Sequence, residues 1–244
     1  MDDANMRPDA RLEALFELIP PGRRVADIGT DHAYLPLLLV ERRKSPFVVA
    51  TDLRPGPLAA ARRHIEARGL ADVIELRQGD GLEPLAPGEV DLVVIAGLGA
   101  ERIVAILDAA GEKARSYPEW AFMPHTPAEP LRRYAYANGL EIISERVVPS
   151  GGRFYELVAV RRGDGAAPYV GLSVPTEAAF WLGPLNMRRP SAAFCAYWQG
   201  MLGHWERLLN ALGAVGGASA EATLKALSAR RAMIERALEG LRQA

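Results

Sequence analysis

The sequence predicts an α/β fold built on a mostly parallel sheet, and three observations carry that prediction. Short apolar runs alternate with helix-patterned segments from residue 24 to residue 138. The run at 90–96, V-D-L-V-V-I-A, is continuous and β-branched, as a strand buried on both faces must be. Two further strand runs, at 140–148 and 154–160, follow one another with too short a link for a crossover.

In order, residues 8–19 read as an amphipathic helix closed by Pro20-Pro21-Gly22. Strands are predicted at 24–28, 47–51, 73–77, 90–96 and 120–123, and helices at 33–43, 57–68, 101–110 and 128–138. This spacing makes βαβ units with right-handed crossovers. The link Pro149-Ser150-Gly151-Gly152-Arg153 makes the last two strands an antiparallel hairpin. Five parallel strands closing on such a hairpin predict a Rossmann-like methyltransferase sheet, where a dehydrogenase sheet would add another crossover helix. Residues 163–175 read as a linker, dividing a domain at 1–165 from a helical unit at 176–244. In that unit Phe194, Trp198, Met201, Trp205, Leu208 and Leu212 recur at intervals of 4, 3, 4, 3 and 4. After a turn at 213–219, Leu224, Leu227, Ile234, Leu238 and Leu241 continue the seam, with Arg231 in one slot. Two such helices predict an antiparallel coiled-coil hairpin, fit for a cap, a dimer contact or an arm for a large substrate.

Composition sets outer bounds. An apolar fraction of 49% with 24% charged residues is ordinary for a protein with a full core. No apolar run reaches the roughly 18 residues of a membrane span, and residues 1–10 lack the basic-then-apolar order of a signal peptide. Cys195 is the only cysteine, which excludes an internal disulfide and reads as a small core residue in a reducing, cytoplasmic setting. A net charge of −1 excludes a uniformly cationic coat for nucleic acid, and the arginine pairs, Arg132-Arg133 among them, read as solvated faces. His32, His64, His125 and His204 have no metal-ligand spacing, and no G-x-S-x-G turn marks a serine hydrolase. No metal and no membrane partner are expected, and the chain is expected to be a monomer or weak dimer.

In an open parallel sheet the ligand lies beyond the carboxyl ends of the strands. There the sequence places Asp27, Gly29, Asp31 and His32 after the first strand, and Asp52 after the second. Asp80 and Gly81 follow the third, Ala96 and Gly97 close the fourth, and His125 follows the fifth. Asp52, 25 residues after Asp27, is placed to accept from a ribose diol, and Asp80 from an adenine amino group. Carboxylates around a single glycine repel a pyrophosphate and suit a sulfonium and an ammonium. These needs are those of S-adenosylmethionine, and a nicotinamide dinucleotide is disfavoured.

Residues 26–36, A-D-I-G-T-D-H-A-Y-L-P, resemble the first loop of the bacterial tRNA (adenine(22)-N1)-methyltransferase family. Weaker resemblances follow in order at 54–57, 78–82, 95–99, Tyr155-Glu156 and Leu182-Gly183-Pro184, so the likeness runs from about residue 11 to the end. It implies methyl transfer to N1 of a tRNA adenine in the D-arm region, with Asp27, Gly29, Asp31, His32, Asp52, Asp80 and Gly97 lining the cofactor pocket. It also implies a tRNA-holding role for residues 191–241. The chain departs from the family's G-M-G-G at Gly97-Leu98-Gly99-Ala100, and from its Q-P-N at Met123-Pro124-His125. N1 of adenine carries an in-plane lone pair, so alignment and desolvation suffice without a general base. Enzymes of the 6-amino group use a D/N-P-P-Y/F turn after the fourth strand, and A-G-L-G stands here. Tyr34 and His125 are the candidates for contact with the target base, with no catalytic proton-transfer residue identified. Arg188, Arg189 and Arg230 are expected on a basic face with the pocket mouth. The competing readings are a methyltransferase acting on another RNA or a small molecule, and a non-catalytic cofactor-binding RNA-binding or scaffold protein.

Overall fold

The structure, a computed structural model, describes residues 9–215 and 218–243. Residue 8 of the predicted first helix, residues 1–8 of the segment read for a signal peptide, 216–217 of the predicted turn and residue 244 of the predicted helical unit lie outside them. The element order is α1 (Ala10–Leu18), β1 (Val25–Ile28), α2 (Tyr34–Glu41), β2 (Val48–Asp52), α3 (Pro55–Glu66), β3 (Ile74–Gln78), β4 (Leu92–Ala96), α4 (Ala100–Ala110), β5 (Glu119–Met123), α5 (Glu129–Ala137), β6 (Leu140–Ser150), β7 (Arg153–Arg162), α6 (Thr176–Leu182), α7 (Pro184–Arg188), α8 (Ala192–Val215) and α9 (Ala218–Gln243).

The seven strands form one sheet in the order β3-β2-β1-β4-β5-β7-β6, parallel except for β7, which runs antiparallel to both neighbours. Alternation along each strand feeds two layers. Val25, Leu92, Val94, Ala121 and Met123 pack with Leu15 and Leu18 of α1 and Leu35 and Leu39 of α2. Ala26, Val93, Ile95, Trp120 and Phe122 pack on the other face with Ile103 and Leu107 of α4 and Leu131 of α5. The continuous apolar run of β4 is explained: each of its faces meets a helical layer.

The hairpin is tighter than the sequence suggests. Pairing continues to Ser150↔Arg153, leaving only Gly151-Gly152 to turn, with φ of 56° and 75°. Both central residues of such a turn need the left-handed region, which glycine supplies. Pro149 is tolerated because β6 is an edge strand.

In the C-terminal third two expectations fail, and the helical hairpin forms with a seam that is covered only in part. The predicted linker is packed: Tyr169 is buried and meets Tyr136 and Phe180 edge-on, at centroid separations of 5.4 and 5.2 Å. Cys195 is exposed on α8, because its neighbour Phe194 takes the core-facing position of that turn. The seam between α8 and α9 is buried at Phe194, Trp198, Trp205 and Ile234, yet Leu208 is 39% exposed. Beyond the sheet layer a two-helix hairpin has no third neighbour, so its distal seam is only half covered.

Arg132, grouped by sequence with solvated arginine pairs, is fully buried. Its Nε donates to Glu145 at 2.6 Å and one terminal nitrogen to Glu156 at 2.5 Å. The other donates to the carbonyls of Phe180 and Trp181, at 3.1 and 2.9 Å. Backbone N–H groups of Leu185 and Ala128 and the Tyr197 hydroxyl satisfy the remaining carboxylate oxygens. Burial works against the charge on Arg132, and the two carboxylates overcome it, holding its pKa above the usual guanidinium value. A Cβ on Gly183, whose φ is +87°, would stand 2.8 Å from Glu145 and 2.9 Å from Arg132. Leu182-Gly183-Pro184 is therefore the place where the chain passes over this cluster and attaches the helices to the sheet.

Candidate active site

The carboxyl edge of β1–β4 opens into a cavity of about 790 Å³. Of the residues predicted to hold a cofactor, Asp27, Gly29, Asp31, Asp52, Asp80, Gly81, Ala96 and Gly97 line it, as does Tyr34. His32 and His125 do not form its wall.

The first loop is built from backbone conformations that side chains rarely adopt. Gly29, Asp31 and Ala33 have φ of 76°, 52° and 61°. The two non-glycine residues persist there because neighbours hold them. Gly29 and Thr30 N–H donate to the Thr51 carbonyl at 2.8 Å, Asp31 N–H donates to Asp52 at 3.3 Å, and Ala33 N–H closes on Thr30. His64, from α3, reaches in from outside: its Nδ1 lies 3.1 Å from the His32 carbonyl. A carbonyl only accepts, so that nitrogen carries the proton. The rings of His32, Tyr34 and His64 form a cluster with centroids 5.4–5.9 Å apart.

The acids differ in state and in partners. Asp27 is 5% exposed, and burial, reinforced by the nearby Asp52, pushes its carboxyl up to about 6. Asp52 accepts the Arg54 N–H at 2.9 Å, which fixes its carboxylate at the start of α3. Asp80, expected to be open for an amino group, receives Arg102 of α4 at 3.0 and 3.2 Å. Both side chains of that pair are half exposed, so the bond is weak and exchangeable.

The two departures from the family pattern prove to be joined. His125 Nδ1 donates to the Gly97 carbonyl at 2.9 Å, and Ala100 N–H donates to Thr126 Oγ1 at 2.8 Å. His125 thus clasps the loop after β4 from the loop after β5.

A family profile described as a methyltransferase domain matches residues 9–158. A tRNA (adenine(22)-N(1))-methyltransferase of Bacillus subtilis is 35% identical over 198 residues, covering 81% of this chain and 82% of the relative. The chain belongs to the tRNA (adenine(22)-N1)-methyltransferase family. The crystal structure of a B. subtilis m1A22 tRNA methyltransferase superposes with a TM-score of 0.87 at 31% identity, covering 96% of this chain and 99% of that one. A Streptococcus pneumoniae putative tRNA (m1A22) methyltransferase, solved in complex with S-adenosyl-L-methionine, gives 0.80 at 27%, covering 93% and 98%.

The methyltransferase also has wall residues that sequence reasoning missed. Leu53, 55% exposed, stands at the mouth beside Asp52. Arg11 and Leu12 of α1 also line the cavity, although α1 read only as an amphipathic helix. No local signal marks them, because α1 reaches the cavity through its packing on the sheet. Of the expected basic face, Arg188 donates to the carbonyls of Pro168 and Val170 at 3.2 and 2.7 Å. That segment follows the end of β7, which pairs with the first residue of β5, so Arg188 serves the sheet edge opposite the mouth. Arg230 lies over the Trp181 ring at 4.3 Å. Among the described residues no helix is long and apolar enough to cross a membrane, and no cluster of three potential metal ligands is found.

Proposed function

We propose that this methyltransferase transfers the methyl group of S-adenosylmethionine to N1 of an adenine in tRNA, at position 22, in the cytoplasm. The observation that carries the reading is the cavity whose wall brings Asp27, Asp31, Asp52 and Asp80 together with the left-handed glycines Gly29, Gly81 and Gly97 at one sheet edge. Such a wall suits a cationic ligand with a ribose diol and disfavours phosphates. S-Adenosylmethionine supplies an electrophilic methyl group on a sulfonium, and adenine N1 supplies the lone pair. Asp52 would accept from the ribose hydroxyls, and Asp80 from the adenine amino group once Arg102 is displaced. Asp27, Asp31 and the carbonyls beside Gly29 and Ala96 would hold the α-ammonium, with His32 supporting the loop from behind. Tyr34 would face the target base, and His125 would set the Gly97 loop rather than touch the base. No side chain is required to remove a proton from N1, so the chain's contribution is alignment and exclusion of water.

The test is incubation with labelled S-adenosylmethionine and unmodified tRNA, followed by nucleoside analysis. Labelled 1-methyladenosine at position 22 is expected. Cofactor binding without transfer would replace this reading with that of a non-catalytic binding protein.

A further inference from the structure

The β6–β7 turn stands above the sheet edge that bears the cavity. Val158 lies opposite Phe122 in the pairing of β7 with β5. β5 ends one residue later at Met123, whereas β7 continues five residues back from Val158 to Arg153. The hairpin therefore overhangs the end of β5 by four residues, about 13 Å at roughly 3.3 Å per residue.

What this overhang presents is unusual for the chain. Phe154 is 38% exposed, while the other phenylalanines for which burial is described are buried or half-buried. Its neighbour Arg153 is exposed and forms no ion pair or side-chain hydrogen bond among the described residues. The paired Gly151-Gly152 leave open space at the crest. Successive residues of β7 point to opposite faces, and the two aromatic residues use both. Tyr155 lies under the guanidinium of Arg11, a cavity-wall residue, at 5.2 Å. Phe154 meets Tyr197 of α8, with centroids 6.0 Å apart. The tip thus bridges the cavity wall and the base of the helical hairpin.

We infer that this tip is an RNA contact, in which Phe154 stacks on an unpaired base near the target adenine and Arg153 pairs with a backbone phosphate. The inference rests on the tRNA reading above. An exposed aromatic ring beside an unpaired arginine is the combination that holds single-stranded nucleotides, by stacking and by counterion release. An adenine that must be freed from its stack to enter the cavity leaves neighbouring bases exposed, and the tip offers one of them a new stacking partner. Its position suits an RNA that also touches α8.

Steady-state methyl transfer to an unmodified tRNA transcript tests this, with cofactor affinity measured separately by calorimetry. Phe154→Ala is expected to raise KM for tRNA about tenfold, in keeping with the roughly 1–3 kcal/mol of a base stack. Phe154→Trp should keep the wild-type KM. Arg153→Ala, which leaves the ring in place, should raise KM several-fold and flatten its salt dependence by about one counterion. Cofactor Kd and kcat at saturating tRNA should stay within about twofold of wild type, because neither residue touches the cavity. An unchanged tRNA KM in the Arg153→Ala, Phe154→Ala double variant overturns the contact while leaving the substrate reading standing. A wild-type protein that methylates no tRNA overturns both.

Discussion

The molecule gathers carboxylates in two places, and they behave in opposite ways. At the sheet edge Asp27, Asp31, Asp52 and Asp80 face a cavity, and the arginines that reach Asp52 and Asp80, Arg54 and Arg102, are 71% and 55% exposed, so solvent screens both pairs. Beneath Gly183, Glu145 and Glu156 close on Arg132, every carboxylate oxygen accepts a hydrogen bond, and all three guanidinium nitrogens donate. The first site leaves carboxylates facing open space, where the proposed cofactor would meet them; the second uses its groups to join α5, β6, β7 and the C-terminal helices. Excess negative charge at a site therefore says little by itself. What separates a binding site from a structural one is whether the surrounding donors already satisfy it.

The largest effect expected from breaking this contrast is at the sealed cluster. Arg132→Ala leaves two buried carboxylates without their cation and should lower unfolding free energy by about 3–5 kcal/mol, measured by denaturant titration. A loss below about 1 kcal/mol would show the cluster to be no anchor.

At the open site the expected effect is on binding rather than folding. Asp52→Asn keeps the side-chain shape and an acceptor for the loop, but removes the charge from a predicted ribose contact. Loss of charged hydrogen bonds worth about 1.5–3 kcal/mol corresponds to an affinity loss of roughly 10–150-fold. Calorimetry with S-adenosylmethionine reads it, and unchanged affinity removes Asp52 from that role.

Asp27 gives a smaller, pH-dependent effect. With its carboxyl raised from 3.8 to about 6, it is ionised above pH 6 and neutral below. An ammonium group favours the ionised form, so cofactor affinity should be flat above about pH 7 and fall about tenfold by pH 5. Asp27→Asn should abolish that slope, whereas a slope that survives the substitution assigns it to another group. The smallest change is expected from Arg102→Ala. Releasing Asp80 from an exposed ion pair worth about 0.2–1 kcal/mol should tighten cofactor binding by no more than about fivefold, with thermal stability unaltered. A large loss of affinity would mean that Arg102 holds Asp80 in its working position.

Much of the cavity was legible because a parallel sheet sends every post-strand residue to the same edge. Asp27, Asp52, Asp80 and Gly97 could be placed by counting strands, without knowing any contact. His32 and His125 show where counting stops. Both follow strands, yet one turns into a ring cluster and the other into a clasp, a choice made by His64 and by the Gly97 carbonyl. Arg132 marks the same boundary more sharply. Its sequence neighbourhood, Arg132-Arg133 on an amphipathic helix, looks solvated, and its partners lie 13 and 24 residues away on strands β6 and β7.

The sequence by itself determined the layers: period-2 and period-3.6 patterns are local, and they decide which face of each strand and helix is apolar. It also determined the chemistry of the first loop, because paired aspartates around one glycine suit a cation wherever that loop sits. Only the tertiary structure decided which charges remain available. It sealed Arg132 with two glutamates, laid Arg102 over Asp80, and carried the β6–β7 turn past the end of β5. Each of these depends on how distant segments pack, and burial changes the free energy of a charge by more than any local preference does.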